Sequence, residues 1–536
     1  MDLSPSTIHP EGEKNSLQNI TKAESIEVET FDGKVFIEWD PTASVTPLAQ
    51  LPFFIEFLKL GCRFEPWVED CLLEYNSNNA PQKNDVLGSF FYPYCPGHKR
   101  FSHITCLKND GVSAKLLNMK KMVSDDSARR ALKKIDEALG VAWLKEHLQR
   151  SYEPLLATPW ILDCDVTVKP LFGNQEGAVV GYNPHKPGRP SHTYHSYMIG
   201  NLRLLLDVDV QPGNQHHCSH SMPGLTSLLF RIDKRCWPEF IRGDCDWGSD
   251  AVMKELESLG MDYLFKLKKH PGVKNLIYKH HYNGEWHHFK GSWEAANADI
   301  QLSSSDKERR VVLVRRRIKK DNVLVAEAPN IPKQLSFAML GDPEDLKLFE
   351  YSVLITSMEC DLISIVQHYR DRADCENVFD EIKNQWGWGG FTTQDIKTSQ
   401  LMSRITALIY NWWNLFVRLA NPDGYQEAIS SRPLLLTSIG RLTESGRQKK
   451  MTITSQHGWA DKAREMLTNL NRFLSNLKHN APQLTPSACW QRITDAVVAR
   501  FAIQRGAGPP ALVGCLSKSG NLKTDISCFF MPKNAG

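Results

Sequence analysis

The sequence lacks the marks of several large functional classes. No run of about 20 apolar residues is present, the length a membrane-spanning helix needs; the most apolar helical stretch, Ile405 to Val417, is 13 residues between two arginines and contains two asparagines. A phosphate loop of the Gly-x4-Gly-Lys type is missing, so nothing points to ATP use. The 13 cysteines include no Cys-x-x-Cys pair and follow nothing like a signal peptide, which predicts reduced thiols in a cytoplasm. There is also no bulk excess of charge, since 64 Lys+Arg stand against 61 Asp+Glu, for a net +3.

That balance hides an uneven distribution. Residues 1–50 hold 3 basic and 9 acidic residues, and residues 431–536 hold 15 and 5, so the two ends are −6 and +10. A second basic cluster, "KERRVVLVRRRIKK", runs from Lys307 to Lys320. Clustered cations of this kind suit a polyanionic partner. At 536 residues the chain has room for three or four domains of about 150 residues each.

The periodicity divides the chain. Residues 1–50 form an acidic N-terminal segment that is polar to about residue 24, followed by a hairpin signal in "VETFDGKVFIEW" around Asp32-Gly33. Residues 51–155 read as helical and suit a DNA-binding unit. Residues 156–268 alternate strands with helices, which indicates an α/β sheet. In it "TPWILDCDVTVKPLFG" is a strand with Asp163, Asp165 and Thr167 on one face, and Phe240 to Gly243 is a buried strand delivering Asp244 at its carboxyl end. Residues 269–350 read as short β runs, "KNLIYKHHY", "EWHHFKGSW" and "RRVVLVRRRIKKDNVLVAEA", a β insertion after which the α/β unit resumes over 351–430. Residues 431–536 are a basic C-terminal region and tail.

The segment "HYRDRADCENVFDEIKNQWGWGGF", His368 to Phe391, reads as one helix that stops in a Trp-Gly run. Tyr369, Arg372, Glu376 and Lys383 lie at offsets of 0, 3, 7 and 14, which at about 100° per residue places all four on one narrow stripe. Cys375, Val378, Phe379 and Ile382 form the adjoining core face. Cations and a phenol along such a stripe suit phosphates, whereas a carboxylate among them suits a metal ion. With Asp165 and Asp244, Glu376 makes a set of three carboxylates able to hold two Mg²⁺ ions about 4 Å apart at a phosphodiester.

The spacing Tyr369-x2-Arg372-x3-Glu376-x6-Lys383 resembles the Tyr-Arg-Glu-Lys signature of bacterial insertion-sequence transposases with an Asp-Asp-Glu (DDE) triad. "LFGNQEGAVVGYNPHKPGRPS" and "KNQWGWGGF" resemble, more closely still, the insertion-sequence 1380 family. The resemblance runs from about Leu51 to Pro422. It implies an α/β fold, an RNase H-like catalytic core interrupted by the β insertion and flanked by helical N- and C-terminal regions. It further implies Asp165, Asp244 and Glu376 as catalytic, metal-holding acids, and Tyr369, Arg372 and Lys383 as contacts to transposon-end phosphates. The cofactor would be two Mg²⁺ ions, with Mn²⁺ substituting. Partners would be the double-stranded DNA of the transposon ends and target, and a second copy in a dimer or larger synaptic complex. The location would be the nucleoid, with no membrane involved.

Two positions have rivals. Asp163 shares its strand face with Asp165, and the Asp-x-Thr arrangement with Thr167 favours Asp165; Asp246 rivals Asp244, which directly follows Arg242-Gly243 as the family pattern has it. "ILDCDVTV" also fits the nucleophile loop of haloacid-dehalogenase-type phosphatases, a reading that leaves the helix stripe unexplained. A transposase-derived DNA-binding protein without catalysis is the third reading, against which stands the presence of all three acids. His192, His195, His216, His217, Cys218 and His220 imitate zinc ligands, but their spacing matches no closed tetrahedral site. Trp286 and Trp293 read as core residues, or as a stacking platform for a flipped base.

Overall fold

Residues 25–318, 346 and 348–505 are described by the computed structural model, apart from 41, 78, 422, 423, 456 and 457. The polar segment before residue 25, the strand expected beyond Lys320 and the tail after Arg505 lie outside the described residues. In chain order the strands are β1 (Ile26–Thr30), β2 (Gly33–Ile37), β3 (Val45–Thr46), β4 (Ile161–Pro170), β5 (Val179–Val180), β6 (Pro190–Ile199), β7 (Leu204–Pro212) and β8 (Phe240–Gly243). They continue with β9 (Tyr263–Lys266), β10 (His287–Lys290), β11 (Trp293–Gln301), β12 (Glu308–Arg317), β13 (Phe349–Thr356), β14 (Gly440–Ser445) and β15 (Gln448–Ile453).

Ten of these strands form one mixed sheet in the order β10-β11-β12-β13-β9-β8-β4-β6-β5, with β7 also paired to β6. β4, β6 and β7 are consecutive and antiparallel, while β4, β8 and β9 are parallel neighbours. The strands of the basic segment do not stand apart: β12 pairs with β13, and β13 with β9, so they widen the same sheet. β4 sits near its middle, with Leu162 and Cys164 fully buried on one face, as a strand covered on both sides requires.

One helix organises the rest. Ile396–Ala420 begins at Asp395, whose side chain accepts from the Thr398 N–H at 2.8 Å, and almost every residue in it is buried. A helix buried all round must pair its polar side chains. Asn411 does so by accepting from the Leu205 N–H (2.9 Å) and donating to the Leu205 carbonyl (2.7 Å) of β7; Arg404 pairs with Asp207 (2.9 Å) and with Asp209. Onto this helix pack Leu51–Leu60 and Glu137–Tyr152 from the N-terminal side and Ala460–Asn480 and Pro486–Arg505 from the C-terminal side. Phe57 touches both Phe416 and Trp490, with ring centroids 5.6 and 5.7 Å away. The basic region from residue 431 therefore carries core helices, with Trp490 fully buried and donating to the Ser151 carbonyl at 3.0 Å. Among the described residues no helix is long and apolar enough to cross a membrane.

Two local expectations are corrected. "KNLIYKHHY", expected as a β run, lies in the helix Pro271–Asn283: Pro271 opens it, and Val273, Ile277 and His281 bury one face at four-residue spacing. His368 to Phe391 is not one helix but two, Leu362–Arg370 and Ala373–Gln385, broken at Asp371-Arg372. Among the described residues ten cysteines are free thiols.

Candidate active site

The site grows from the parallel pair β4 and β8, in which Asp163 stands opposite Arg242. Asp163 is fully buried, and Arg242 donates to both its oxygens, Nε to Oδ1 at 2.6 Å and Nη2 to Oδ2 at 2.7 Å. Nη1 of Arg242 donates to the His368 carbonyl, which ties the sheet to the helix Leu362–Arg370. Gly200 makes room for this pair, since a Cβ there would lie 2.1 Å from Asp163 Oδ2 and 2.7 Å from Arg242 Nη2. Gly200→Ala is expected to destabilise the fold by about 1–3 kcal/mol, the usual range for forcing atoms into a packed core; an unchanged thermal midpoint would show that the pair relaxes freely.

Just beyond this pairing, Asp165 follows on β4 and Asp244 follows the end of β8, near enough for the charge of Asp244 to act on Asp165. Both are half-buried. Asp165 Oδ1 accepts from the Val166 N–H (2.8 Å), and Asp244 Oδ1 accepts from the Asp246 N–H (2.9 Å). Burial pushes the Asp165 carboxyl up to about 6; the Arg372 guanidinium works against that shift, while Asp244 and Glu376 add to it.

The rivals fall into different roles. Asp163 is spent on Arg242. Asp246 is held below the usual carboxylate range, first by its hydrogen bond with His216 (Nδ1 to Oδ2, 3.3 Å) and also by Lys268. Among the described residues Asp244 has no ion pair of its own.

The break at Asp371-Arg372 decides where the helical residues point. The Arg372 N–H donates to the Tyr369 carbonyl at 3.1 Å and the Cys375 N–H to the Arg372 carbonyl at 2.9 Å, three-residue bonds that tighten the chain between the helices. Arg372 then turns inward, only 6% exposed, with Nη2 3.1 Å from Asp165 and Nη1 3.4 Å from Glu376. Its guanidinium bridges two of the three acids instead of facing solvent. Glu376 remains open, its side chain 70% exposed. Lys383 is half-buried, and burial lowers its ammonium against an opposing pull from Asp165, which places the two near one another. Cys375, Val378, Phe379 and Ile382 are buried on the core face. The Trp-Gly run ends the helix by burying Trp386 and Trp388 and by letting the backbone approach residue 99, where a Cβ on Gly390 would sit 2.1 Å from the Lys99 carbonyl oxygen.

A cavity of about 230 Å³ opens between these helices and the sheet, lined by Lys266, Trp293, Tyr369, Arg370, Arg372 and Glu376. Trp293 lies between Arg316 and Arg370, whose guanidinium carbons are 4.8 and 5.0 Å from its ring. Trp286 differs: Arg315 covers it at 3.9 Å, and its Nε1 donates to the His280 carbonyl. Lys266 and Arg370 also line this cavity and were not singled out in the sequence; the only signal was that Lys266 falls within the strand expected over Tyr263 to Leu267.

The donor set of three carboxylates is that of a hard divalent cation such as Mg²⁺. The like-charge crowding around Asp165 also asks for a cation, a demand that Arg372 meets here. Among the described residues no three His, Cys, Asp or Glu side chains converge tightly enough to hold an ion. The histidines are engaged separately: His192 Nε2 meets the Glu176 carbonyl (2.7 Å), His195 meets Ser221 and the Gln215 carbonyl, and His216 meets Asp246.

Comparison with known proteins bears on this geometry. The family described as "Transposase DDE domain group 1" matches residues 81–475. No curated protein matches the chain. Among solved structures, a piggyBac transposase synaptic complex with hairpin DNA, determined by cryo-EM, matches over 85% of each chain at 11% identity and a TM-score of 0.35.

Proposed function

Because the chain belongs to the Transposase DDE domain group 1 family, we propose that it is a DNA transposase acting on an insertion sequence of the 1380 type. It binds the terminal inverted repeats, hydrolyses the end phosphodiester and joins the new 3′-hydroxyl to target DNA in cut-and-paste transposition. The observation that supports the reading is that Arg372 joins Asp165 to Glu376, while the charge of Asp244, just past the end of β8, acts on Asp165. The strand order β7-β6-β4-β8-β9, three antiparallel strands followed by two parallel ones, supports an RNase H-like core with the basic β strands as its insertion.

Catalysis in this family depends on divalent metal ions, here proposed as two Mg²⁺ with Mn²⁺ as substitute; when bound, they supply the charge that stabilises the attacking and leaving oxygens. Asp165, Asp244 and Glu376 would hold them. Asp163 and Arg242 fix the distance between the strands beneath the acids, and Arg372 keeps Asp165 and Glu376 compensated. Lys383 and Tyr369 meet end phosphates, with Arg372 joining them once the acids take another cation. The phosphatase reading loses its support, because the first acid of its loop, Asp163, is sealed against Arg242 and cannot reach a substrate.

Lys383→Ala is expected to weaken binding to end DNA by about 1–3 kcal/mol, through loss of one charged hydrogen bond. The slope of log K against log salt should fall by about 0.9 for the one phosphate lost. Unchanged affinity and slope would assign Lys383 to the support of Asp165 alone. The reading as a whole is tested by divalent-metal-dependent nicking of DNA that carries the element's own ends; binding without nicking by the wild type would make the chain a catalytically silent binder.

A further inference from the structure

Among the described residues nothing covers the hairpin of β1 and β2. Its register pairs Ile26 with Ile37 and Val28 with Val35, so four branched side chains share one face, and every residue of both strands is exposed. Trp39, two residues beyond Ile37, is 61% exposed. A lone two-stranded hairpin is marginal in water, and one with an uncovered apolar face needs a surface to lie on. The charge of the hairpin says which kind. Residues 25–40 contain Glu27, Glu29, Asp32, Glu38 and Asp40 against a single cation, Lys34. This segment is repelled by DNA phosphates and suits a basic protein surface.

Such a surface exists on the three-stranded sheet β15-β14-β3. Residues 440–453 carry Arg441, Arg447, Lys449 and Lys450 against one acid, Glu444. Among the described residues β15 is an open edge, able to accept another strand. Ile439, Ile453 and Trp459 are exposed near it. Beside Ile453 a cleft of about 360 Å³ runs in toward Phe53, Ala463 and Leu467. The hairpin leads directly into β3, at the opposite edge of this sheet, so the β15 edge is left for an arm that arrives from elsewhere. Reciprocal exchange of arms between two copies closes with two-fold symmetry and leaves neither arm bare.

We propose that the acidic hairpin of one copy docks on the basic β15 edge and apolar cleft of a second copy, forming an arm-exchanged dimer in the absence of DNA. This goes beyond the general expectation of a synaptic assembly and uses no residue of the catalytic site. Sedimentation equilibrium of the full chain without DNA tests it separately from transposition. The wild type should be a dimer at micromolar concentration, with a dissociation constant that rises with salt. Val28→Asp with Ile37→Asp, and separately Lys449→Glu with Lys450→Glu, should each raise that constant by at least about tenfold at unchanged melting temperature. Adding Glu27→Lys and Glu29→Lys to the second pair should restore the dimer. A monomeric wild type, a dimer indifferent to both pairs, or no restoration by the charge swap would each overturn the proposal; a hairpin docked on its own chain would appear as the first of these.

Discussion

Replacing Glu376 by glutamine is expected to leave end binding intact and to lower divalent-metal-dependent nicking by at least about a hundredfold, the scale of losing one main electrostatic stabiliser of a transition state. The fold should tolerate the change. The Glu376 side chain is 70% exposed and its ion pair with Arg372, at 3.4 Å, is long; substitutions at such positions shift stability by about 0.5 kcal/mol or less. What glutamine removes is the negative charge that Glu376, as the proposed third acid, would offer a metal ion. Asp165→Asn and Asp244→Asn should match it in nicking, because all three acids are proposed to hold the same pair of metal ions. Binding and nicking measured side by side on the element's ends decide the matter. Equal nicking by wild type and Glu376→Gln would dismiss the triad.

Asp163 and Asp165 are two residues apart on one strand face, and their asparagine variants should move stability in opposite directions. Asp163→Asn leaves Arg242, 1% exposed, without its carboxylate, and breaking a buried pair in this way costs about 3–5 kcal/mol. Asp165 is the reverse case. Its folded carboxyl is raised from 3.8 to about 6, so the folded chain holds the proton more tightly than the unfolded chain does. The stability tied to that proton is complete below pH 3.8 and is lost as pH rises through 6. A shift of about two units is worth roughly 3 kcal/mol at neutral pH. Arg372, left with Glu376 alone, offsets part of it, so Asp165→Asn should stabilise the chain by about 1–3 kcal/mol at pH 7, and by nothing near pH 4. Denaturant titrations in chelator at the two pH values read both effects. Destabilisation by Asp165→Asn at neutral pH would mean that this carboxylate serves the fold and not a bound cation.

The same pair of residues shows how far the sequence could be read. Alternation placed Asp163 and Asp165 on one face, and that is where they are, yet alternation cannot separate two acids of equal phase. The difference lies in Arg242, which belongs to another strand and reaches Asp163 through a parallel register that only the folded sheet defines. The hairpin at Asp32-Gly33, the strand before Asp244 and the core face of Cys375, Val378, Phe379 and Ile382 were legible, because each depends on local period. The break between the two site helices was not. A three-residue step from Tyr369 to Arg372 fits a continuous helix and a tightened turn equally well, and the turn is held by a tertiary contact, Arg372 on Asp165. The helix Pro271–Asn283 was misread because its aromatic and histidine residues imitate strand composition, although Pro271 was the mark of a helix start.

The packing of Phe57 against both Phe416 and Trp490 also sets the order of events during synthesis. The helix Leu51–Leu60 leaves the ribosome early, but the surfaces that bury it are made more than 350 and more than 430 residues later. At about 5–20 residues per second this delay lasts from roughly 20 to 90 seconds, during which its apolar face has no native cover. Translation that stops anywhere before Trp490 thus yields a chain whose helix Leu51–Leu60 and central helix both lack part of their packing.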